Sequence, residues 1–187
     1  MSECHTPLYG LIPAAGRGTR ARPYTEDIHK GLLDVNGVPN MERIIHIMRD
    51  DLNISTIIIV VGYLADTIQQ YFGKGERYNV EIQYVQNDEL DKGLAWSIYL
   101  ARQKIDSYFC IMLCDECYLS SNHSELKSFP YEQAIFTCAG LSVDDDNLIR
   151  KNYSIEHDGS LLQSVHEKPV SLTNDIMGSG TFICSPA

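Results

Sequence analysis

An unbroken run of β-branched residues, Thr56 to Val61, is the feature that most constrains the fold of this chain. A strand with one face in water alternates apolar and polar residues, so this run predicts a strand buried on both faces. Such strands occur in parallel sheets that helices cover on both sides. The run therefore predicts an α/β protein.

Strand-length apolar runs and segments of helical period alternate along the first 120 residues or so. Strands are predicted at Leu8–Ile12, Val80–Val85 and Tyr108–Leu113, and helices at Met41–Asp50, Ala65–Phe72 and Leu94–Lys104. Asn40 is expected to cap the first helix, and Leu94, Ile98 and Ala101 to share the inner face of the last one. Later strands are predicted at Gln133–Ala139, Lys151–Glu156, Leu161–Val165 and Met177–Cys184, with a hairpin turn at Asp158-Gly159.

This order predicts a doubly wound, mixed but mostly parallel sheet of Rossmann-like type, with a small β lobe from the later strands. Residues 1–187 are expected to form a single domain. Ligands of such sheets bind outside the carboxyl ends of the strands. The loop around Gly16 and the residue Asp115 both follow strands, so the two are predicted to be spatial neighbours.

The formal net charge of −10 argues against general nucleic-acid binding, which depends on basic surface. Phosphate binding stays compatible with it, because four cations cluster early, at Arg17, Arg20, Arg22 and Lys30. The sequence has no bilayer-length apolar run, and Met1–Pro7 lacks the features of a signal peptide. No membrane association and a cytoplasmic location are the resulting expectations.

Three of the six cysteines, Cys110, Cys114 and Cys117, have a C-x3-C-x2-C spacing that can hold an iron–sulfur cluster. Cys110 lies in a predicted buried strand, so its side chain is expected to face the core. Ordinary reduced cysteines, buried or at a strand end, are therefore the favoured interpretation.

The loop from Leu11 to Lys30 has the composition of an anion-binding loop. Gly16 and Gly18 carry no side chain, so backbone N–H groups can approach an anion closely. Arg20 and Lys30 add positive charge suited to a polyphosphate. A dinucleotide-binding motif fits poorly, because its third glycine is absent, and the P-loop motif lacks Gly-Lys-Ser/Thr. A solvated Gly/Arg loop stays open as the alternative.

Further downstream, single residues offer further groups that could contact a phosphate-containing ligand. Gln86 presents a donor and an acceptor to a base edge, and Gly93 permits close backbone approach at a helix start. Asp115, at a strand end, can bind Mg²⁺, and Lys168 is a compact cation suited to a phosphate. Each of these, taken alone, also fits a cap or a surface turn.

Together these motifs resemble the sugar-phosphate nucleotidyltransferases, in particular those of the glucose-1-phosphate thymidylyltransferase type. The resemblance extends from about Leu8 to Pro186. It rests on Gly16-Arg-Gly-Thr-Arg20, Pro23, Lys30, Gly37-Val-Pro39, Gln86 with Gly93-Leu-Ala95, Asp115, Glu167-Lys168-Pro169 and Gly178-Ser-Gly180. Two positions depart from the family pattern: His29 stands where proline is usual, and Cys114 where glycine is usual.

The resemblance implies that a sugar 1-phosphate attacks the α-phosphorus of a nucleoside triphosphate, with dTTP or UTP favoured, and that pyrophosphate leaves. It implies catalytic roles for Arg20, Lys30 and Asp115, with Asp115 as the ligand of Mg²⁺. It assigns nucleotide binding to Ala14, Ala15, Gly16, Gly18, Thr19, Gln86 and Gly93. It assigns sugar-phosphate binding to Glu167, Lys168 and Gly180.

Two other functions stay open. His29 is similar to the corresponding residue of phosphocholine cytidylyltransferases, which would make this a CTP-dependent enzyme for a small phosphate. Family members also usually carry a second metal-binding Asp on a later strand, and Asp175 does not match its position. Three interpretations agree with the lack of a matching second Asp: a C-terminally truncated chain, a compact variant and a non-catalytic nucleotide-binding regulatory domain. The oligomeric state is open as well, with a homo-oligomer among the alternatives.

Overall fold

A computed structural model describes residues 7–186 of the chain. These residues form two compact units: a first unit of residues 7–136 and 183–186, and a second unit of residues 137–182. Within residues 7–186, no helix is both long enough and apolar enough to cross a membrane.

The principal elements, in chain order, are β1 (Leu8–Ala14), β2 (Asp34–Val35), β3 (Val38–Pro39), α1 (Asn40–His46), β4 (Thr56–Val61), α2 (Ala65–Phe72), β5 (Glu81–Gln86), α3 (Gly93–Ala101), β6 (Tyr108–Met112), β7 (Phe136–Ser142), α4 (Asp146–Lys151), β8 (Tyr153–Asp158), β9 (Leu161–Glu167) and β10 (Ile176–Cys184). A π turn, Ile47–Asp51, follows α1 directly, and short 3-10 turns occupy several of the connections.

The first unit is organised around a parallel sheet in the order β5-β4-β1-β6. β1 pairs with β4 on one side, where Gly10 lies opposite Ile57, and with β6 on the other, where Leu8 lies opposite Tyr108. Every residue of β4 after Thr56 is buried. The expected α/β class, with a mixed and mostly parallel sheet, is confirmed, and β4 has the bounds that its β-branched run predicted.

Two expectations about the helices are wrong. Asn40 does not cap α1; it is the first residue of that helix, and its side chain makes no capping hydrogen bond. In α3 the buried residues are Ser97 and Ala101, while 46% of Leu94 is exposed. Because almost every residue of α3 is apolar, the hydrophobic pattern could not distinguish its inner face from its outer face.

The second unit is a β-sheet in which β10 pairs with β7 and β8, and β8 also pairs with β9. The β8–β10 and β8–β9 pairs are antiparallel. Asp158 lies opposite Leu161, so the hairpin turn is Gly159-Ser160, one residue later than predicted. The short helix α4 was not predicted, although the Asp145 side chain caps it by accepting a hydrogen bond from the Asn147 N–H at 2.9 Å.

Candidate active site

The segments that follow β1 and β6 line a cavity of about 510 Å³ in the first unit. The residues around it are Gly18, Thr19, Arg20, Ala21, Lys30, Leu33, Val35, Asn40, Asp115 and Cys117. The prediction that the glycine loop and Asp115 are neighbours is therefore confirmed. Five residues expected at the site, Ala14, Ala15, Gly16, Gln86 and Gly93, are not among those that line this cavity.

Lys30 and Asp115 form an ion pair at the cavity, with Nζ 2.8 Å from Oδ2. Burial lowers the pKa of Lys30, but the nearby Cys114 and the hydrogen bond and charge of Asp115 outweigh it, so the pKa is raised overall. The positive charge of the nearby Arg20 lowers the pKa of Lys30. The cavity thus presents two cations and one carboxylate, and Lys30 stays protonated at neutral pH.

The 3-10 turn that carries Lys30 is held by His29, which is completely buried. Its Nδ1 accepts a hydrogen bond from the Gly31 N–H at 3.1 Å. Burial lowers the pKa of His29 to about 4, aided by the charge of Lys30 and opposed by the Ala14 carbonyl and Asp115. A neutral ring that accepts at Nδ1 carries its proton on Nε2. His29 is therefore an uncharged, interior anchor of the turn.

The glycine loop bends at Gly18, whose φ of +62° lies in the left-handed region. The hydroxyl of the buried Thr25 donates to the Gly18 carbonyl at 2.8 Å and fixes this bend. A Cβ atom at Gly16 would meet no atom within 4 Å, so packing does not require glycine there. Thr19 and Arg20 follow the bend with exposed side chains, available to a ligand.

Ala14 and Ala15 are 0% and 4% exposed as whole residues, so they present no side chain to a ligand and little backbone surface. The Ala15 carbonyl already accepts a hydrogen bond from the Tyr63 N–H at 3.0 Å. Any contact of these two alanines with a nucleotide would therefore use the remaining backbone groups.

Gln86 and Gly93 bracket the connection from β5 to α3. Gln86 is exposed, and its Nε2 donates to Asp88 Oδ1 at 3.1 Å. Its Oε1 is an acceptor that could meet a donor on a base. Gly93 is the first residue of α3, with a φ of +81° and open space beside its Cα. Between them the buried Asn87 donates to Ser97 Oγ at 3.0 Å and so ties the strand end to the helix.

The three residues expected to bind the sugar phosphate belong to the second unit. The side chains of Glu167 and Lys168 are 80% and 65% exposed, and Lys168 Nζ lies 3.5 Å from Glu167 Oε1. Lys168 has a φ of +48°, and its N–H donates to the Asn152 carbonyl at 2.7 Å. Gly180 is buried within β10.

Within residues 7–186, no group of three or more His, Cys, Asp or Glu side chains is arranged to hold a metal ion. Asp115 alone fits a different kind of site, because Mg²⁺ commonly binds one or two carboxylates together with substrate phosphates and waters. Cys110 faces the core, as expected. Burial raises the pKa of Cys110 and Cys114 to about 12, whereas Cys117 is exposed at the cavity.

Comparison with known families places these residues in context. Residues 9–186 match the family model described as nucleotidyl transferase. A UTP–glucose-1-phosphate uridylyltransferase of Haloferax volcanii is 29% identical over 180 residues, which cover 96% of this chain and 73% of that protein. A choline-phosphate cytidylyltransferase of Haemophilus influenzae is 44% identical over 62 residues, covering 33% of this chain and 26% of that protein.

A solved structure of UDP-glucose pyrophosphorylase in complex with UDP-glucose has the same fold, with a TM-score of 0.83 at 21% identity. The match covers 96% of this chain and 76% of that one. The matched regions cover between 26% and 76% of the lengths of the three proteins compared.

Proposed function

The chain belongs to the nucleotidyl transferase family, and from that premise we propose that it joins a nucleoside triphosphate to a sugar 1-phosphate, giving an NDP-sugar and pyrophosphate. The observation that carries the proposal is the cavity where Arg20, Lys30 and Asp115 meet. Two cations and a carboxylate suit a polyphosphate with a bound divalent ion. The name of the Haloferax volcanii relative supports UTP as the triphosphate, and dTTP is the other favoured triphosphate.

In the proposed reaction, a phosphate oxygen of the sugar 1-phosphate attacks the α-phosphorus, and the bond to the pyrophosphate oxygen breaks. Such a transfer needs alignment and charge neutralisation rather than a nucleophilic side chain. Arg20 neutralises the leaving pyrophosphate. Lys30, which stays protonated at neutral pH, exchanges its bond to Asp115 for phosphate oxygens near the reacting centre.

Asp115 would hold Mg²⁺ by its carboxylate, of which 42% is exposed. That ion, when bound, supplies positive charge to the triphosphate oxygens. Asp115 has a second role without ligand, because its charge holds Lys30 at the cavity. The same carboxylate would thus hold Lys30 in the ligand-free site and Mg²⁺ when the ion is bound.

The nucleotide and the acceptor are proposed to contact separate sets of residues. Backbone groups of the loop from Ala14 to Thr19 approach the phosphates, while Gln86 and the start of α3 at Gly93 contact the nucleoside. In the second unit, Lys168 holds the acceptor phosphate, and Glu167 and Gly180 contact the sugar. The exposure of both charged side chains supports their availability to a ligand.

The local match to a choline-phosphate cytidylyltransferase keeps a CTP-dependent reaction as the second candidate. His29 does not decide between the two, because it is fully buried and anchors the turn rather than facing the cavity. Pyrophosphate release should be measured with UTP, dTTP, CTP and ATP, each paired with glucose 1-phosphate, other sugar 1-phosphates and phosphocholine. The proposal predicts the fastest release with UTP or dTTP and a sugar 1-phosphate.

Faster release with CTP and phosphocholine would replace the proposal by the second candidate. Triphosphate binding in calorimetry without turnover for any pair would instead support a non-catalytic nucleotide-binding domain. The mass of the product in each active pair identifies which phosphate has been joined to the nucleotide.

A further inference from the structure

The side chain of Asn40 joins α1 to the segment that carries Asp115. Its Nδ2 donates to the Cys114 carbonyl at 3.0 Å and to the Glu116 carbonyl at 2.6 Å. These two carbonyls flank Asp115 in the sequence. A single amide group therefore uses both of its hydrogens to hold the backbone on either side of this carboxylate.

The orientation of the Asn40 amide is fixed by its surroundings. Asn40 is 5% exposed, and a reversed amide would place Oδ1 against two carbonyl oxygens, which offer it no hydrogen. In the observed orientation, Oδ1 is buried without a hydrogen-bond partner among the described residues. A buried acceptor without a partner lowers the stability of the fold. The two hydrogen bonds to the Asp115 segment are therefore kept despite this cost at Oδ1.

The backbone of Asn40 reaches the opposite wall of the cavity. Its N–H donates to the Leu33 carbonyl at 3.1 Å, and Leu33 in turn closes the turn that begins at Lys30. The first residue of α1 thus contacts both the Lys30 segment and the Asp115 segment. Local helix capping does not explain this arrangement, because the Asn40 side chain makes no capping bond.

We propose that Asn40 is a positioning residue, which sets the Asp115 carboxylate for the divalent ion through the backbone of Cys114 and Glu116. The inference rests on the proposed function. Groups that orient a metal ligand typically change metal affinity by about 10–100-fold when they are removed. Asn40 lines the cavity but is only 5% exposed, and this account assigns it no contact with nucleotide or metal, so its effect should appear chiefly in the metal-dependent part of nucleotide binding.

The test compares UTP binding with and without Mg²⁺ by calorimetry. The ratio of the two dissociation constants is the metal increment, and it requires no turnover. Asn40→Leu, which has similar volume but no donor, should reduce this increment by about tenfold or more, a larger change than any in metal-free UTP binding. Asn40→Gln keeps an amide donor and should recover part of the increment.

A matched control is Asn174→Leu in the second unit. Asn174 Nδ2 also donates to a backbone carbonyl, that of Ile155 at 2.9 Å. This substitution should lower the melting temperature without changing the metal increment. Asn40→Ala serves as a second variant that removes the donor, and thermal melts establish that each variant is folded.

A full metal increment in folded Asn40→Leu or Asn40→Ala overturns the inference and leaves the proposed function intact. Failure of both variants to fold also overturns it, because Asn40 would then serve folding. If the unaltered chain binds no UTP with or without Mg²⁺, the proposed function itself fails.

Discussion

The chain holds two pairs of proposed ligand-binding residues differently. Lys30 and Asp115, in the first unit, are proposed to bind phosphate and Mg²⁺, and Glu167 and Lys168, in the second unit, the sugar and its phosphate. Lys30 and Asp115 sit on segments that buried polar side chains fix, and they pair at 2.8 Å. Lys168 and Glu167 extend from the end of β9 with 65% and 80% of their side chains exposed. The first pair is preorganised, and the second is free to adjust to a ligand.

The strands beneath these residues differ in the same way. In β4 all residues after Thr56 are buried, whereas β9 is exposed on both faces, with Leu161 at 67% and Leu162 at 40%. A rigid scaffold can hold charges at the geometry of a transition state, while exposed side chains chiefly add binding energy. The comparison therefore predicts that changes in the first unit affect the reaction rate and triphosphate affinity, and that changes in the second unit affect acceptor affinity.

The largest expected effect is on catalysis by Lys30→Met. Loss of a preorganised charge that meets the transition state typically lowers the rate by about 10²–10³-fold, and kcat/KM for the triphosphate should fall by this amount. Steady-state pyrophosphate release measures it, with the exposed Lys74→Met as the control. If kcat/KM falls no further in Lys30→Met than in Lys74→Met, Lys30 has no role in the reaction.

The next effect concerns stability and the burial of His29. Its pKa is lowered from 6.5 to about 4. Between pH 6.5 and pH 4, His29 is therefore protonated in the unfolded chain and neutral in the folded chain. The free energy of unfolding should therefore fall as pH decreases from about 6.5 to 4, by up to about 3 kcal/mol from this residue.

Urea unfolding at several pH values measures this loss. His29→Asn keeps an acceptor for the Gly31 N–H but does not titrate, so its stability should depend less on pH. His123, whose pKa burial also lowers, contributes equally to both proteins. Equal pH dependence in the two proteins would show that His29 is not a buried neutral anchor.

A smaller effect is expected for Lys168→Met in the second unit. An exposed, charge-assisted contact contributes about 1.5 kcal/mol, so KM for the sugar 1-phosphate should rise about tenfold while triphosphate affinity is unchanged. The exposed Lys151→Met is the control in the same unit. An unchanged KM for the acceptor would break the assignment of Lys168.

The smallest effect is expected in cysteine labelling. Burial keeps Cys110 and Cys114 as thiols, with pKa values of about 12, so Cys117 at the cavity should react first with iodoacetamide among these three. Mg²⁺ and UTP should slow that reaction, as peptide mass spectrometry can measure. Labelling at an unchanged rate would argue that the nucleotide does not enter this cavity.

The parts of the fold that were predicted correctly depend on local patterns. The bounds of β4 and α2 coincide with the prediction, because a β-branched run and a terminal glycine are read from neighbouring residues. The approach of the glycine loop to Asp115 followed from a general rule about the carboxyl ends of parallel strands.

The parts that were missed depend on distant backbone groups. Asn40 donates to backbone carbonyls 74 and 76 residues away. Because every residue has a backbone carbonyl, the sequence does not indicate which of them accepts a hydrogen bond. Its preference for helix caps was the stronger local signal, and tertiary hydrogen bonds overrode it. The burial of His29 was likewise invisible, because a histidine beside a lysine in a polar loop resembles a surface residue.

The difference in role between the two units is tested most directly by calorimetry with UTP and Mg²⁺. Triphosphate binding is measured for the unaltered chain, for Lys30→Met and for Lys168→Met. The account predicts that Lys30→Met weakens binding by about tenfold or more and that Lys168→Met leaves it unchanged. Equal weakening in both variants, or none in Lys30→Met, would contradict it.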